Sequence, residues 1–354
     1  MPEPGAESPR LLVIRRRYLG DIVLLGSVVR NLRLHWPAAH ITFLTEAAYA
    51  GVVPLNPEID AALTFPGRAT GWLSFVRQLR RGHFTHVLDF DNTEKTALVT
   101  RLTGAAVRVT FDRELIAHRY GRLYTHTAKV TNAFYDSHPI TDTYLALPAA
   151  IGVPIVSREI HLVPRPADVA TAVKLTGGPR AKNGHRAGKV LLHPGSRSAH
   201  RIWPAAHFAA VCDRLQDELG AQVFLTAGPA EQPLVEEICR AAQSHLVTVP
   251  PSPHVGAFAA LAAQFDVFLC HDSGPMHIAA GVGTPVVALF GSQNATIWRP
   301  IGDQHTVLQA ALPCACFPVG ALPSACVKGD SYRSYCVRQL SEAVVFAAVA
   351  ARLT

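Results

Sequence analysis

Short apolar runs alternate with amphipathic segments through the first half of the chain. The runs at Leu11–Arg15, His40–Leu44, Thr85–Phe90 and Val107–Phe111 predict strands that are buried on both faces. Between the first two runs, apolar residues recur at helical spacing from residue 22 to residue 32. Strands that alternate with helices in this way predict a parallel sheet with right-handed crossovers.

A second series of strands and helices follows a change in composition at residues 166–188. That segment contains Gly177, Gly178 and Pro179 and then a polar, basic stretch, which is typical of a linker. Later strands are predicted at Lys189–His193, Gln222–Thr226, Leu246–Val249, Val267–Cys270 and Pro285–Phe290. The pattern predicts an α/β protein with two Rossmann-like, doubly wound parallel-sheet domains that face a central cleft. We expect an N-terminal domain at 1–165, a linker at 166–188, a C-terminal domain at 189–340 and a final helix at 341–354 that packs on the body.

The composition narrows the class of protein. Of 354 residues, 49% are hydrophobic and 17% are charged, which excludes a mainly disordered chain. No apolar run reaches the ~18 residues of a membrane-spanning helix, and the first ten residues lack the pattern of a signal peptide. We therefore expect a cytoplasmic α/β enzyme.

The net charge of +7 is unevenly distributed along the chain. Residues 1–165 hold 19 Lys+Arg against 14 Asp+Glu, a surplus of five, whereas residues 166–354 hold 14 against 12, a surplus of two. The surplus indicates either a surface for an anionic partner or a general bias towards solubility, and the sequence leaves both open. A nucleic acid is not expected as a partner, because no Lys/Arg run is interleaved with aromatic residues on a known binding module.

The loop after the first predicted strand contains a candidate catalytic carboxylate. Asp21 lies where a helix is expected to begin, and there the helix dipole stabilises an ionised carboxylate. Such a group is able to accept a proton from an alcohol. Asp is also a favoured helix cap, so the spacing alone leaves the cap and the base as alternatives.

Three loops of the second half are suited to binding phosphates. The loop 193–204 places Gly195, Ser196 and Arg201 between a strand and a helix, where backbone N–H groups and a guanidinium bind anions. The segment His271–His277 runs from a strand into a helix that Pro275 opens. Glu231 is expected at the start of another helix, where it binds a ribose hydroxyl or acts as a cap. For each loop, the alternative is that its polar residues only cap the helix that follows.

Other nucleotide-binding and metal-binding patterns are weak or absent. No G-x-G-x-x-G follows the first strand and no Walker A motif is present, which disfavours nicotinamide dehydrogenases and P-loop enzymes. Asp89 and Asp91 form a D-x-D pattern like that of metal-dependent sugar transferases. We reject that interpretation, because the match is short and lies inside the first parallel-sheet domain.

These loops, in this order, resemble glycosyltransferase family 9, the bacterial lipopolysaccharide heptosyltransferases. The resemblance covers nearly the whole chain, from LLVIRRRYLGDIVLLGSVVRNLR to HDSGPMHIAAGVGTPVVALFGSQNATIWRP. It implies a GT-B fold in which the first domain binds the acceptor and the second binds the sugar nucleotide. It also implies an inverting, metal-independent transfer of heptose from ADP-heptose to a lipopolysaccharide inner-core acceptor, with no cofactor required.

The resemblance assigns roles to individual residues. Asp21 matches the proposed general base of the family. Arg201 stands where the family usually has Lys, and it keeps the charge with a different reach. The implied donor-binding residues are Gly195, Ser196, Arg201, Glu231, Asp272, Ser273, Gly274 and His277. Arginines of the first half are candidates for binding the anionic acceptor, namely Arg15, Arg17 and Arg119. An acceptor held at the membrane would place the protein at the cytoplasmic surface of the inner membrane.

Alternatives remain for the donor, the reaction and the cysteines. A transferase that uses another nucleotide sugar, a sugar-nucleotide epimerase and a non-catalytic binding protein share the fold, although the presence of Asp21 argues against the last.

Of seven cysteines, three fall in predicted core elements. The other four form a C-x-C-x9-C-x9-C cluster, a spacing that lacks the paired knuckles of common zinc sites. We expect no metal there but keep one as an alternative for Cys314, Cys316, Cys326 and Cys336.

Overall fold

The computed structural model describes residues 8–114, 120–178, 188–197, 201–291, 293–309 and 337–353. The chain divides into two compact units, Met1–His161 and Leu162–Thr354. In the described ranges each unit contains a six-stranded sheet, and every pair of neighbouring strands is parallel. The α/β fold class that the sequence predicts is therefore confirmed.

The first unit has the strand order β3-β2-β1-β4-β5-β6. Its strands are β1 (Arg10–Ile14), β2 (His40–Thr45), β3 (Ala61–Thr64), β4 (His86–Asp89), β5 (Val107–Arg113) and β6 (His126–Val130). Its helices are α1 (Leu19–Leu24), α2 (Gly26–His35), α3 (Trp72–Arg81), α4 (Glu94–Leu102), α5 (Asn132–Ser137) and α6 (Ile140–Ala149). Short 3-10 helices at Ala47–Leu55, Ala69–Gly71 and Gly121–Leu123 complete the connections.

The second unit repeats this order, with β12-β11-β10-β7-β8-β9 read from the opposite edge. Its strands are β7 (Lys189–His193), β8 (Gln222–Leu225), β9 (Val247–Thr248), β10 (Val267–His271), β11 (Val286–Phe290) and β12 (Thr306–Gln309). Its helices are α7 (Pro166–Thr176), α8 (Ala205–Leu219), α9 (Gln232–Ala241), α10 (Val255–Ala262), α11 (Gly274–Gly281), α12 (Ala295–Trp298) and α13 (Glu342–Leu353). Short 3-10 helices lie at Pro229–Glu231 and Val337–Gln339.

The central strands are buried on both faces, as their unbroken apolar sequences require. All five residues of β7, β10 and β11 are buried, and so are the last four of β1. Layers of helices cover the two faces, and α13 packs on α8 with Val345 and Val349 inside the core of the second unit. This burial is the dominant favourable contribution to folding.

The structure differs from the sequence prediction at the segment 166–188. We expected a linker there, but residues 166–176 form α7, which packs on α10. Pro166 suits the first turn of a helix, and Gly177 ends the helix with a positive φ of 72°. The two units divide between His161 and Leu162 instead, and residues 179–187 lie outside the described part of the chain.

The strand order places the site loops. In both sheets the order reverses next to the first strand of the unit, so β1 lies beside β4 and β7 lies beside β10. Loops that leave neighbouring parallel strands on either side of such a switch point form a crevice at the carboxyl edge, where ligands bind in doubly wound folds. The predicted site loops leave β1 in the first unit and β7, β8 and β10 in the second.

Candidate active site

Asp21 is a buried carboxylate just beyond the end of β1. It is the third residue of α1, and only 6% of its surface is exposed. Its Oδ1 atom accepts hydrogen bonds from the Arg15 guanidinium and from the Tyr144 hydroxyl, the latter at 2.5 Å. Its Oδ2 atom lies 3.5 Å from the backbone nitrogen of Tyr18, the residue before the helix. The capping contact is therefore long, and the strong contacts come from elsewhere in the unit.

Arg15 connects Asp21 to the loop that leaves β4. One guanidinium nitrogen bonds Asp21, and the other donates to the carbonyl of Phe90 at 2.9 Å and lies 3.3 Å from Asp91. Asp91 also accepts the backbone N–H of Arg16 at 2.7 Å. Burial raises the pKa of Asp91 to about 6, and the charge of the neighbouring Asp89 acts in the same direction against the opposing effect of Arg15.

The D-x-D pattern has a structural role in this unit. Asp89 is fully buried, and its carboxylate accepts the backbone N–H groups of Asp91 and Asn92 at 3.0 and 3.2 Å and the Tyr124 hydroxyl at 2.6 Å. Burial raises the pKa of Asp89 in spite of these bonds. Asp89 thereby orders the loop that presents Asp91 to Arg15.

The acceptor-site candidates have different environments. The Arg15 side chain is mostly buried and engaged with Asp21, whereas the Arg17 side chain is 52% exposed and pairs with Glu46 at 3.0 Å. Arg16 bonds the same Glu46 carboxylate at 2.6 Å. Arg119 lies outside the described residues.

In the second unit, Gly195 and Glu231 come into close contact. Glu231 stands immediately before α9, and its carboxylate accepts the backbone N–H of Gly228 at 3.0 Å and lies 3.6 Å from the ring of His193. A Cβ atom on residue 195 would overlap that carboxylate, so only glycine permits this approach. Burial lowers the pKa of His193 although the charge of Glu231 opposes the shift.

Arg201 and Asp272 form an ion pair at the start of α11. Arg201 Nη1 lies 3.2 Å from Asp272 Oδ2. Burial raises the pKa of Asp272 to about 6 in spite of the nearby guanidinium. Ser273 precedes α11, but its side chain does not cap the helix, and its buried Oγ atom has no hydrogen-bond partner among the described residues. Gly274 begins the helix, and His277 is buried one turn later.

His271 and Trp203 hold the segment around Arg201 in place, a role that the sequence alone did not reveal. The backbone N–H of Trp203 donates to His271 Nε2 at 2.8 Å, and the indole N–H donates to the carbonyl of Leu340 at 3.0 Å. Burial lowers the pKa of His271 to about 3, so the ring is neutral and Nε2 accepts this bond. The backbone bond joins residues 68 positions apart, so a local pattern does not indicate it.

The structure thus groups the predicted site residues into three sets. Arg15 and Asp21 are in contact in the first unit, where Tyr144 is the partner that sequence reasoning missed. In the second unit, Glu231 lies against Gly195 and Arg201 against Asp272. The half-buried Ser196 follows Gly195, and Ser273, Gly274 and His277 occupy the junction between β10 and α11.

Comparison with known families identifies the chain. The model of "Glycosyltransferase family 9 (heptosyltransferase)" matches residues 72–318, a range that includes the predicted site residues of the second unit. The chain belongs to glycosyltransferase family 9. It is therefore a glycosyltransferase, and the resemblance stated from the sequence motifs is confirmed.

Relatives of this family 9 enzyme include lipopolysaccharide heptosyltransferase 3 of Escherichia coli K12. The two are 27% identical over 298 residues, which cover 80% of this chain and 83% of the relative. Similar solved structures are a glycosyl transferase family 9 protein from Veillonella parvula and ADP-heptose lps heptosyltransferase II of Escherichia coli. Their TM-scores are 0.81 and 0.76, at 21% and 19% identity, and the alignments cover 98% and 97% of this chain and 98% of each structure. These likenesses establish the GT-B fold.

Two further expectations concern the cysteines and the membrane. Cys212 and Cys270 are buried and Cys239 is half-buried, and all three are free thiols. The cluster Cys314, Cys316, Cys326 and Cys336 lies outside the described residues. Within the ranges that are described, no helix is long and apolar enough to cross a bilayer.

Proposed function

We propose that this family 9 enzyme transfers heptose from ADP-heptose to a lipopolysaccharide inner-core sugar with inversion, and that Asp21 is the general base. The observation that carries the proposal is the buried Asp21 carboxylate, which Arg15 and Tyr144 hold at the carboxyl edge of the first sheet. A carboxylate fixed in this way is suited to accept a proton from an alcohol. The curated relatives named as lipopolysaccharide heptosyltransferases support the substrate class.

The reaction is a single displacement. Asp21 takes the proton of the acceptor hydroxyl while that oxygen forms a bond to the anomeric carbon of the heptose. The bond from the anomeric carbon to the diphosphate oxygen breaks on the opposite face, and ADP leaves with the electron pair. The product has the inverted configuration, and Asp21 returns its proton to solvent.

Fixed donors of the second unit stabilise the departing ADP. Arg201, Ser196 and the backbone N–H groups at the start of α11 supply positive potential to the diphosphate. Among the described residues, the Oγ atom of Ser273 has no hydrogen-bond partner and no side chain caps α11, which supports an anion site here because buried polar atoms are normally paired. Glu231 is assigned to the ribose hydroxyls, and these donors require no metal or cofactor.

The acceptor is assigned to the first unit. Arg15, Arg17 and Arg119 remain candidates for its anionic groups, and the surplus of five positive charges in residues 1–165 supports an anionic partner. The acceptor is anchored to lipid, so we propose peripheral association with the cytoplasmic surface of the inner membrane. Helix α3 supports this placement with an exposed face that carries Leu73, Arg77 and Arg80.

Turnover by Asp21→Asn tests the catalytic assignment. The substitution keeps the shape and removes the base, so transfer from ADP-heptose to a purified inner-core acceptor is expected to fall by ~10²–10⁴-fold. Donor binding, read as the thermal shift with ADP-heptose, is expected to persist. Wild-type turnover in this variant contradicts the general-base role.

A thermal-shift screen with wild-type protein tests the donor. ADP-heptose is expected to raise the unfolding temperature more than ADP-glucose or UDP-sugars do, because a specific ligand stabilises the folded state by mass action. A larger shift with another nucleotide sugar would replace the proposed donor. Release of an epimerised nucleotide sugar without acceptor would instead indicate an epimerase.

A further inference from the structure

The two carboxylate oxygens of Asp21 have unequal surroundings. Oδ1 accepts two hydrogen bonds, one from the charged Arg15 guanidinium and one from the Tyr144 hydroxyl at 2.5 Å. The described residues give Oδ2 one long contact, at 3.5 Å from the backbone nitrogen of Tyr18. Hydrogen bonds between charged partners are short and strong, so the carboxylate is anchored through Oδ1.

Tyr144 is built into the unit as a fixed donor. It lies on α6 with 3% of its surface exposed, and its ring packs edge-on against Phe90 at 5.7 Å. Burial raises the pKa of Tyr144 well above its usual value, so the hydroxyl stays protonated and donates a hydrogen bond to Asp21. Arg15 is fixed in turn by the Phe90 carbonyl, so both donors on Oδ1 rest on the same loop after β4.

We propose that Tyr144 is a positioning residue for the transfer reaction: with Arg15 it occupies Oδ1 of Asp21 and directs Oδ2 towards the acceptor hydroxyl. The proposal rests on the general-base role of Asp21. Two donors on Oδ1 resist rotation of the carboxylate, which would otherwise exchange the two oxygens. Proton transfer depends on such alignment, because small misplacements of a catalytic group cost large factors in rate.

The first unit contains a matched control for Tyr144. Tyr124 is also buried, with 7% of its surface exposed, and its hydroxyl donates to the buried Asp89 at 2.6 Å. Tyr144→Phe and Tyr124→Phe therefore each remove one hydroxyl that bonds a buried carboxylate. Of the two substitutions, only Tyr144→Phe removes a hydrogen bond to Asp21.

The test compares kcat and the donor KM of the two Phe variants, with rates expressed per ADP-binding site so that unfolded protein does not count. Tyr144→Phe is expected to lower kcat about tenfold relative to Tyr124→Phe, because the lost bond is to an ionised group, and to leave the donor KM unchanged. In an Asp21→Asn background, Tyr144→Phe is expected to cause no further loss, because Tyr144 acts through Asp21.

The outcomes separate the two levels of the proposal. A wild-type kcat in Tyr144→Phe, together with a large loss in Asp21→Asn, overturns the positioning role alone. If Tyr144→Phe lowers kcat by the same factor in the Asp21→Asn background as in the wild type, the positioning role is also overturned. That result indicates a general structural effect of the substitution. Wild-type turnover in Asp21→Asn overturns the general-base role on which the positioning role rests.

Discussion

At the scale of single residues, the proposed donor site of the second unit depends on a missing side chain. Gly195 lies two residues after the end of β7, and the Glu231 carboxylate occupies the space where a Cβ atom would lie. That carboxylate also accepts the backbone N–H of Gly228, so its position is fixed from two sides. Backbone that approaches this closely is a common reason for glycine at a ligand site.

Gly195→Ala is expected to displace Glu231 and weaken donor binding. The added methyl group overlaps the carboxylate, which is the end of a flexible side chain and therefore moves away, so that its hydrogen bond to the donor, worth about 1.5 kcal/mol, is lost. We expect the dissociation constant for ADP, measured by calorimetry, to rise about tenfold. Gly67→Ala is the control, because a Cβ atom there meets nothing within 4 Å. Equal ADP affinities in the two variants would remove Glu231 from the proposed donor site.

At the scale of the element, α3 has two distinct faces. Phe75 and Leu79 are buried against the sheet. The opposite side, here called the basic face, consists of the exposed residues Leu73, Arg77, Arg80 and Arg81. Helix α3 contains no acidic residue, so this face is suited to an anionic surface. Clustered arginines on an exposed face are attracted to anionic lipid headgroups.

Charge reversal on the basic face tests the proposed membrane association. Each basic residue near an anionic surface contributes ~1 kcal/mol, so Arg77→Glu with Arg80→Glu is expected to weaken binding at least about 30-fold. Sedimentation with phosphatidylglycerol vesicles measures the effect. Lys174→Glu with Arg240→Glu is the control, because it changes the net charge equally at exposed positions of the second unit. Equal losses in the two double variants would contradict a role for α3.

At the scale of the whole molecule, each unit keeps a buried carboxyl group with a raised pKa. Asp91 in the first unit and Asp272 in the second both have a pKa of about 6, and burial is the main cause. A carboxyl with a higher pKa in the folded state than in the unfolded state binds protons more readily when folded. Its contribution to stability therefore increases as the pH falls from about 6 towards 4.

Asp272→Asn is expected to remove part of this pH dependence. Relative to the variant, the wild-type free energy of unfolding should rise by on the order of 3 kcal/mol as the pH falls from 7 to 4. Urea unfolding over that range measures the difference. Glu218→Gln is the control, because a hydrogen bond from Arg214 lowers the pKa of the exposed Glu218. A constant difference between wild type and Asp272→Asn would contradict the raised pKa.

The local pattern of apolar and polar residues was sufficient to predict the buried strands and the polar loops that follow them. The runs that became β1, β7, β10 and β11 are apolar throughout, because both faces of a central parallel strand are covered. Among the edge strands of the described sheets, β9 was predicted at Leu246–Val249, whereas β3, β6 and β12 were not predicted. In the edge strand β6, for example, only Ala128 and Val130 are buried, so no continuous apolar run marks it.

The sequence by itself determined the fold class, the family and the loops that hold Asp21, Gly195 and Asp272, since these depend on residues adjacent in the chain. Only the tertiary structure decided which residues from distant parts of the chain contact the residues of these loops. Tyr144 reaches Asp21 across 123 residues, and His271 accepts the N–H of Trp203 across 68. The physical reason is the order of the strands. Crossovers bring β1 beside β4 and β7 beside β10, so the loops and helices that meet at each carboxyl edge are distant in sequence.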